Sequence, residues 1–191
     1  MNYRKSGIAS IIGAPFILLK TIASGFNEQA AYLINYSSIL VFTGAMICAI
    51  MGLFHIISKS VNNSVRNILI AEAVILVLSF IVSIIELNAP QFQHYHISVI
   101  IGSVSNCLII IFCFALNDQN WFLQLKKYLL IVTPVLLLLS IINMTFLISP
   151  VTILIGYSCA TIQCVLLAFI IINRGNNEAE HENSLYELST L

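Results

Sequence analysis

Four polar side chains recur along one apolar stretch at intervals that place them on a single helix face. This acidic stripe consists of Glu72, Ser79, Ser83 and Glu86, separated by seven, four and three residues, which are close to whole turns of an α-helix. Ionisable side chains inside a membrane span are costly and often functional. The stripe therefore predicts a polar cavity or path. The alternative is that both glutamates reach water at the interfaces while the serines bond to their own helix.

Two further sets of polar residues lie within apolar stretches. Lys20 stands late in the first stretch, where its stem can reach the membrane interface, and it is expected near Glu86 at the outer surface. The two side chains are predicted to pair, which by itself indicates only a structural role. Asn106, Asn143 and Gln163 lie in the fourth, fifth and sixth stretches, and amides in such places commonly form hydrogen bonds between helices.

An outer connection carries the residues best suited to a metal. His94 and His96 follow Glu86 closely, and imidazole and carboxylate groups are zinc ligands. Histidines two residues apart share a face only in extended chain. A zinc site, and with it a membrane enzyme with an outward-facing Glu/His centre, is one interpretation. The other is that the histidines, with Tyr95, anchor the chain at the interface.

The sequence contains none of the familiar catalytic motifs. It has no GxSxG, no HExxH, no glycine-rich phosphate loop and no dinucleotide-binding fingerprint. No cofactor is predicted, and the chain is expected to be non-enzymatic.

Six apolar stretches, each long enough to cross a bilayer, carry these residues. The chain has 191 residues, of which 59% are hydrophobic and only 8% charged, against roughly 25% charged in soluble domains. A span needs about 20 apolar residues. The expected fold is an all-α polytopic membrane protein, a six-transmembrane-helix bundle with spans at about 6–26, 31–57, 67–87, 96–116, 127–148 and 151–173.

The basic residues predict the orientation of the bundle. Apart from Lys20, every Lys and Arg lies before the first span, after the second, after the fourth or after the sixth. Cytoplasmic connections collect Lys and Arg, so both termini are predicted to be cytoplasmic. Because the basic residues are spread over four segments, a nucleic-acid-binding protein is excluded. The abundance of Ile and Asn is typical of AT-rich genomes, and a bacterial inner (plasma) membrane is the expected location.

Both ends of the chain leave an alternative open. Arg4 and Lys5 followed by an apolar stretch and small residues also resemble a signal peptide, although a retained first helix is favoured. Residues 174–191 form an acidic cytoplasmic tail with four glutamates. A solvated, mostly disordered tail is expected, and the alternative is a short amphipathic segment that docks a cytosolic partner.

Small residues four apart predict close helix contacts. Such a stripe lets another backbone approach, and it favours a compact bundle or an interface with a membrane-protein partner or a second copy of the chain. One stripe lies in the second span and one in the sixth: Gly44, Cys48, Gly52, and Gly156, Ala160, Cys164, Ala168. The fourth span has Ser98, Gly102 and Asn106 at the same spacing.

The layout resembles a bacterial and archaeal family of six-span membrane proteins, the domain of unknown function nine-nine-eight. The shared features are Asn35-Tyr-Ser-Ser at the start of the second span, and Pro90 followed by His94 and His96. The resemblance implies a six-helix bundle and no particular activity. From the residues themselves, the leading hypothesis is a protein that binds a lipid-like ligand or a membrane-protein partner. A small-solute or proton-linked transporter is the alternative.

Overall fold

The fold of the described residues is entirely helical. A computed structural model describes residues 3–58, 63–89, 97–116, 123–145 and 150–189, and none of these lies in a β-strand. The expected all-α class is confirmed for this part of the chain. Six α-helices follow one another: α1 (Tyr3–Gly13), α2 (Glu28–Ser58), α3 (Asn63–Asn88), α4 (Ile97–Ala115), α5 (Leu123–Thr145) and α6 (Pro150–Ser189).

The first apolar stretch changes helix type at its proline. The α-helix ends at Gly13, and residues Ala14–Thr21 continue as a 3-10 helix with Pro15 in its first turn, where the missing N–H is tolerated. A 3-10 helix has three residues per turn, and burial here follows that period. The buried side chains are Ala14, Ile17 and Ala23, whereas Phe16, Leu19 and Ile22 are exposed.

The second helix begins at a side-chain cap. Asn27 Oδ1 accepts a hydrogen bond from the backbone N–H of Ala30 at 2.9 Å, which satisfies a donor that has no partner within the helix. The start of α2 and the end of α3 are joined where the Tyr32 hydroxyl donates to Asn88 Oδ1 at 2.9 Å. These contacts fix this end of the α2–α3 pair.

Consecutive helices pack side by side, and the first packs against the last. Contacts join α1 with α2 and α6, and α2 also touches α6, so α2 and α6 form the centre of the bundle. The core there is built from residues that are fully or almost fully buried, among them Leu53 on α2, Leu69 on α3, Leu129 on α5 and Leu167 on α6. Each of these helices therefore presents one face to a shared apolar core.

Within the described ranges, four helices are long and apolar enough to cross a membrane: Glu28–Ile56, Asn63–Asn88, Ile97–Ala115 and Ile153–Asn173. Large apolar side chains cover their outer faces, such as Val74, Phe114 and Leu154, which are 48–63% exposed. Extended apolar surface is unusual on soluble proteins and is expected beside lipid.

The acidic segment after the sixth stretch is part of a helix. Helix α6 has 40 residues and runs on to Ser189, so the expectation of a mostly disordered tail is wrong for the backbone of residues 174–189. Several Glu, Ala and Leu residues in this segment favour helix formation, and the helix entering it from the membrane removes the cost of starting a new one.

Candidate functional site

Glu72 is an acidic side chain held inside the bundle. It lies nine residues after the start of α3 and is 1% exposed. Its Oε1 accepts a hydrogen bond from the Ser105 hydroxyl at 2.5 Å. At about 1.5 Å rise per residue, Glu72 lies about 14 Å along this 26-residue helix from its start, and the surrounding helices enclose it.

The second oxygen of Glu72 has no hydrogen-bond partner among the described residues. It borders a very small space of about 10 Å³ whose other lining residues are all apolar, including Leu53, Ile109, Phe112 and Leu167. An ionised carboxylate is strongly destabilised in such surroundings. The alternative interpretation, in which both glutamates reach water at the interfaces, is wrong for Glu72 because its side chain is buried.

A hydrogen-bonded amide network lies next to this pair. Gln163 Nε2 donates to Asn106 Oδ1 at 3.2 Å and to Thr133 Oγ1 at 3.1 Å, and all three side chains are buried. Asn106 directly follows Ser105, so polar contacts connect α3, α4, α5 and α6 at one level of the bundle. The predicted role of Asn106 and Gln163 is confirmed, whereas Thr133 and Ser105 were not identified from the sequence.

The outer part of the acidic stripe lines a cavity of about 240 Å³, which we call the head cavity. Its polar lining includes Ser83 and Glu86 from α3, Asn35 from α2, Ser98 from α4 and Lys20 from the 3-10 segment. Glu86 Oε1 accepts a hydrogen bond from the Ser98 backbone N–H at 3.0 Å. The predicted proximity of Lys20 and Glu86 is thus found, while a direct ion pair between them stays a prediction.

The stripe is therefore divided rather than continuous. Its inner member, Glu72, is enclosed by the core, and its outer members, Ser83 and Glu86, border the head cavity. Ser79, between them, is half-buried and lines neither cavity. The described structure contains two separate polar sites where the spacing alone suggested one path.

A second cavity of about 390 Å³ shares Lys20 and Ser98 with the head cavity, and we call it the tail cavity. The Lys20 ammonium lies 5.3 Å from the centre of the Tyr157 ring, a distance at which a cation is attracted to an aromatic face. Beyond these polar groups the walls are largely apolar, with side chains such as Val99, Leu136, Leu139 and Ile153.

The small-residue stripes have two different roles. A Cβ on Gly52 would lie 2.9 Å from Ile171 Cδ1, and Cys164 and Ala168 are fully buried, so these positions lie at close helix contacts, as predicted. Gly44 makes no such contact within the described structure, where it is exposed and faces open space, so for this residue an interface with a partner or a second copy stays a prediction. The close contact occurs one residue later, where a Cβ on Gly13 would lie 2.8 Å from Ala45 Cβ.

The first two residues of the sixth-span stripe line a cavity. A Cβ on Gly156 would meet nothing within 4 Å, and both Gly156 and Ala160 line the tail cavity. Their small size leaves room there instead of admitting a neighbouring backbone. Cys48 is half-buried, and it is a free cysteine like the other four.

No group of three or more potential metal ligands occurs within the described ranges. His94 and His96 lie outside the described residues, so a site that combines them with Glu86 stays a prediction. Within the described part of the chain, Glu86 contributes to the head cavity rather than to a ligand cluster.

Comparisons with protein-family models, with curated proteins and with solved structures give no match.

Proposed function

We propose that the chain crosses the membrane of a bacterial cell six times, with both termini in the cytoplasm. The basic side chains support this orientation, because Arg4, Arg66 and Lys127 are exposed near the starts of α1, α3 and α5. In an up-and-down bundle these three helix starts share one side, and Lys and Arg favour the cytoplasmic side.

The topology can be tested by cysteine labelling in intact cells. In a cysteine-free background, Ser64→Cys marks the proposed inner side and Glu28→Cys the proposed outer side; both positions are exposed. A membrane-impermeant maleimide should label position 28 in intact cells and position 64 only after lysis. The opposite pattern would contradict the topology.

Within this topology the protein binds a lipid-like ligand between its helices near the outer surface. The observation that carries this proposal is the tail cavity, of about 390 Å³, whose largely apolar lining also includes the polar side chains of Lys20 and Ser98. Ligand sites are typically clefts of about 300–1,000 Å³, mainly apolar with a few placed polar groups. An amphiphile has the matching distribution of polarity.

The two glycines of the tail cavity support the same function. Gly102 and Gly156 both line it, and a Cβ on either would meet nothing within 4 Å. Neither glycine is required by helix packing in the described structure. Larger side chains at these positions would occupy space that a ligand chain needs.

A cavity-filling variant tests the proposal. Gly156→Leu places a side chain into the tail cavity, whereas Gly44→Leu adds the same atoms at a helix position that also faces open space but lines no described cavity. Lipid retained by protein purified in mild detergent should be lost from the first variant and kept by the second. Equal lipid retention by both variants, with both folded, would refute binding in this cavity.

Glu72 favours a second candidate function, proton-linked transport. A buried carboxyl with one oxygen unpartnered among the described residues is a group that can bind and release a proton as its surroundings change. Proton flux into proteoliposomes under an imposed potential should be lost in Glu72→Gln and kept in Glu28→Gln, the exposed control. Equal flux in both variants would remove this candidate.

A further inference from the structure

We propose that the ligand has a zwitterionic head group, with its anionic group at Lys20 and its ammonium group at Glu86. This inference rests on the proposed lipid-like binding and adds the chemistry of the head group. It starts from the head cavity, where one basic and one acidic side chain line a space of about 240 Å³ together with Asn35, Ser83 and Ser98.

Both charged side chains are oriented by neighbouring groups. The Ser98 backbone N–H donates to Glu86 Oε1 at 3.0 Å, which fixes one carboxylate oxygen at the start of α4. The Tyr157 ring lies 5.3 Å from the Lys20 ammonium, which favours a position between the two cavities. The side chains are half-buried, so water screens their charges less than it would at an open surface.

The residues shared by the two cavities determine the orientation of the ligand. Lys20 and Ser98 border both cavities, while Glu86 borders only the head cavity. A phosphate linked to an acyl chain therefore fits at Lys20, with the chain along Leu136 and Leu139 in the tail cavity. The amine at the far end of the head group then extends into the head cavity towards Glu86.

Singly charged head groups fit this lining less well. A purely anionic head group places negative charge beside Glu86, and a cationic one places positive charge beside Lys20; like charges at short range are unfavourable. A head group with both charges, ordered as phosphate and then amine, meets an opposite charge at each position. Phosphoethanolamine and phosphocholine share this chemistry.

Lipid selectivity of the unmodified chain is the primary test, because it needs no variant. The protein in detergent micelles is titrated with lipids that carry the same acyl chains and differ in head group: phosphoethanolamine, phosphoglycerol and a trimethylammonium cation. The zwitterionic lipid should bind at least tenfold more tightly than either singly charged lipid. If the phosphoglycerol lipid binds most tightly, the proposal of a zwitterionic head group is refuted and the proposal of lipid binding stands. If no lipid binds, both proposals are refuted.

Two charge variants test which side chain contacts each charged group of the head group. Glu86→Gln should reduce the preference over the anionic lipid at least fivefold, and Lys20→Met should do the same for the preference over the cationic lipid. The matched controls are Glu28→Gln and Lys127→Met, which remove exposed charges that line neither cavity, and they should leave selectivity unchanged. If the Glu86 and Lys20 variants bind like their controls, the assignment is refuted.

Competition distinguishes a membrane lipid from a free solute of the same chemistry. Glycerophosphoethanolamine carries the head group without acyl chains. If it displaces the lipid only at concentrations at least a hundredfold above the lipid's own, the tail cavity contributes as proposed. Displacement at equal concentrations would overturn the placement of the chain in the tail cavity, and with it the lipid-like function.

Discussion

Replacing Gly13 by alanine tests how closely the first two helices approach each other. A Cβ at this position would lie 2.8 Å from Ala45 Cβ and 3.3 Å from the Val41 carbonyl oxygen. Non-bonded carbons are best placed at about 3.5–4.0 Å. Because Ala45 Cβ is attached directly to the α2 backbone, no side-chain rotation can relieve the contact, and the helices must separate by about 0.7 Å or more.

The expected cost follows from overpacking. Extra methyl groups in a packed interior typically cost about 1–3 kcal/mol. The separation also strains the bond that the Ser10 hydroxyl donates to the Ala45 carbonyl at 2.8 Å. Gly13 has φ −79° and ψ −26°, which alanine adopts freely. Alanine also lowers the conformational entropy of the unfolded chain, which offsets about 0.4–1 kcal/mol of the destabilisation. The net loss in the free energy of unfolding is about 1–2 kcal/mol.

Gly44→Ala is the matched control, because it lies next to Ala45 and its Cβ meets nothing within 4 Å. It should stabilise α2 by up to about 1 kcal/mol, the usual gain over glycine inside a helix. Both variants are compared by reversible unfolding in mixed micelles on titration with sodium dodecyl sulfate, followed by far-UV circular dichroism. If Gly13→Ala is as stable as Gly44→Ala, the close α1–α2 contact is refuted.

Three further stability changes follow from contacts in the core. Ser105→Ala removes the donor to Glu72 and should lower the free energy of unfolding by about 1–2 kcal/mol, within the range for buried hydrogen bonds. In the Glu72→Leu background, the same Ser105→Ala substitution should change the free energy of unfolding much less. Gln163→Leu removes two hydrogen bonds between helices and should lower the free energy of unfolding by about 1 kcal/mol. As an independent readout, the substitution should accelerate amide exchange more in α4 and α5 than in α1. Gly52→Ala meets the flexible end of Ile171 and should cost less than Gly13→Ala in the same unfolding assay. A larger loss for Gly52→Ala would show that Ile171 cannot rotate away.

Helix positions along the chain were largely predictable, and the reason is length. A stretch that must remain apolar for about 20 residues leaves little freedom in where it begins and ends, so α3 and α4 agree with their predicted spans to within a few residues. Pro15 accompanies the change from α-helix to 3-10 helix after Gly13, and a missing N–H and a fixed φ act locally. These features depend on neighbours in sequence.

The partners of the buried polar groups could not be predicted, because they depend on how neighbouring helices are rotated. One residue changes the direction of a helix side chain by about 100°, which separates the contact at Ala45 from the open face at Gly44. Ser105 is unremarkable among the serines of the chain until α4 is placed against Glu72. The spacing of the acidic stripe was informative about its face, but not about which members are enclosed.

The helix type after Gly13 decides which environment the charge of Lys20 meets. With three residues per turn, six residues from Ala14 bring Lys20 back to the same side, towards the two cavities. With 3.6 residues per turn the same six residues would leave it about 120° away, towards the side of Phe16 and Leu19, where an ammonium group would face hydrocarbon. The winding of this one short segment therefore decides whether the ammonium group faces the cavities, and rewinding it into α-helix would both withdraw the charge from the cavities and shorten the segment by about 4 Å.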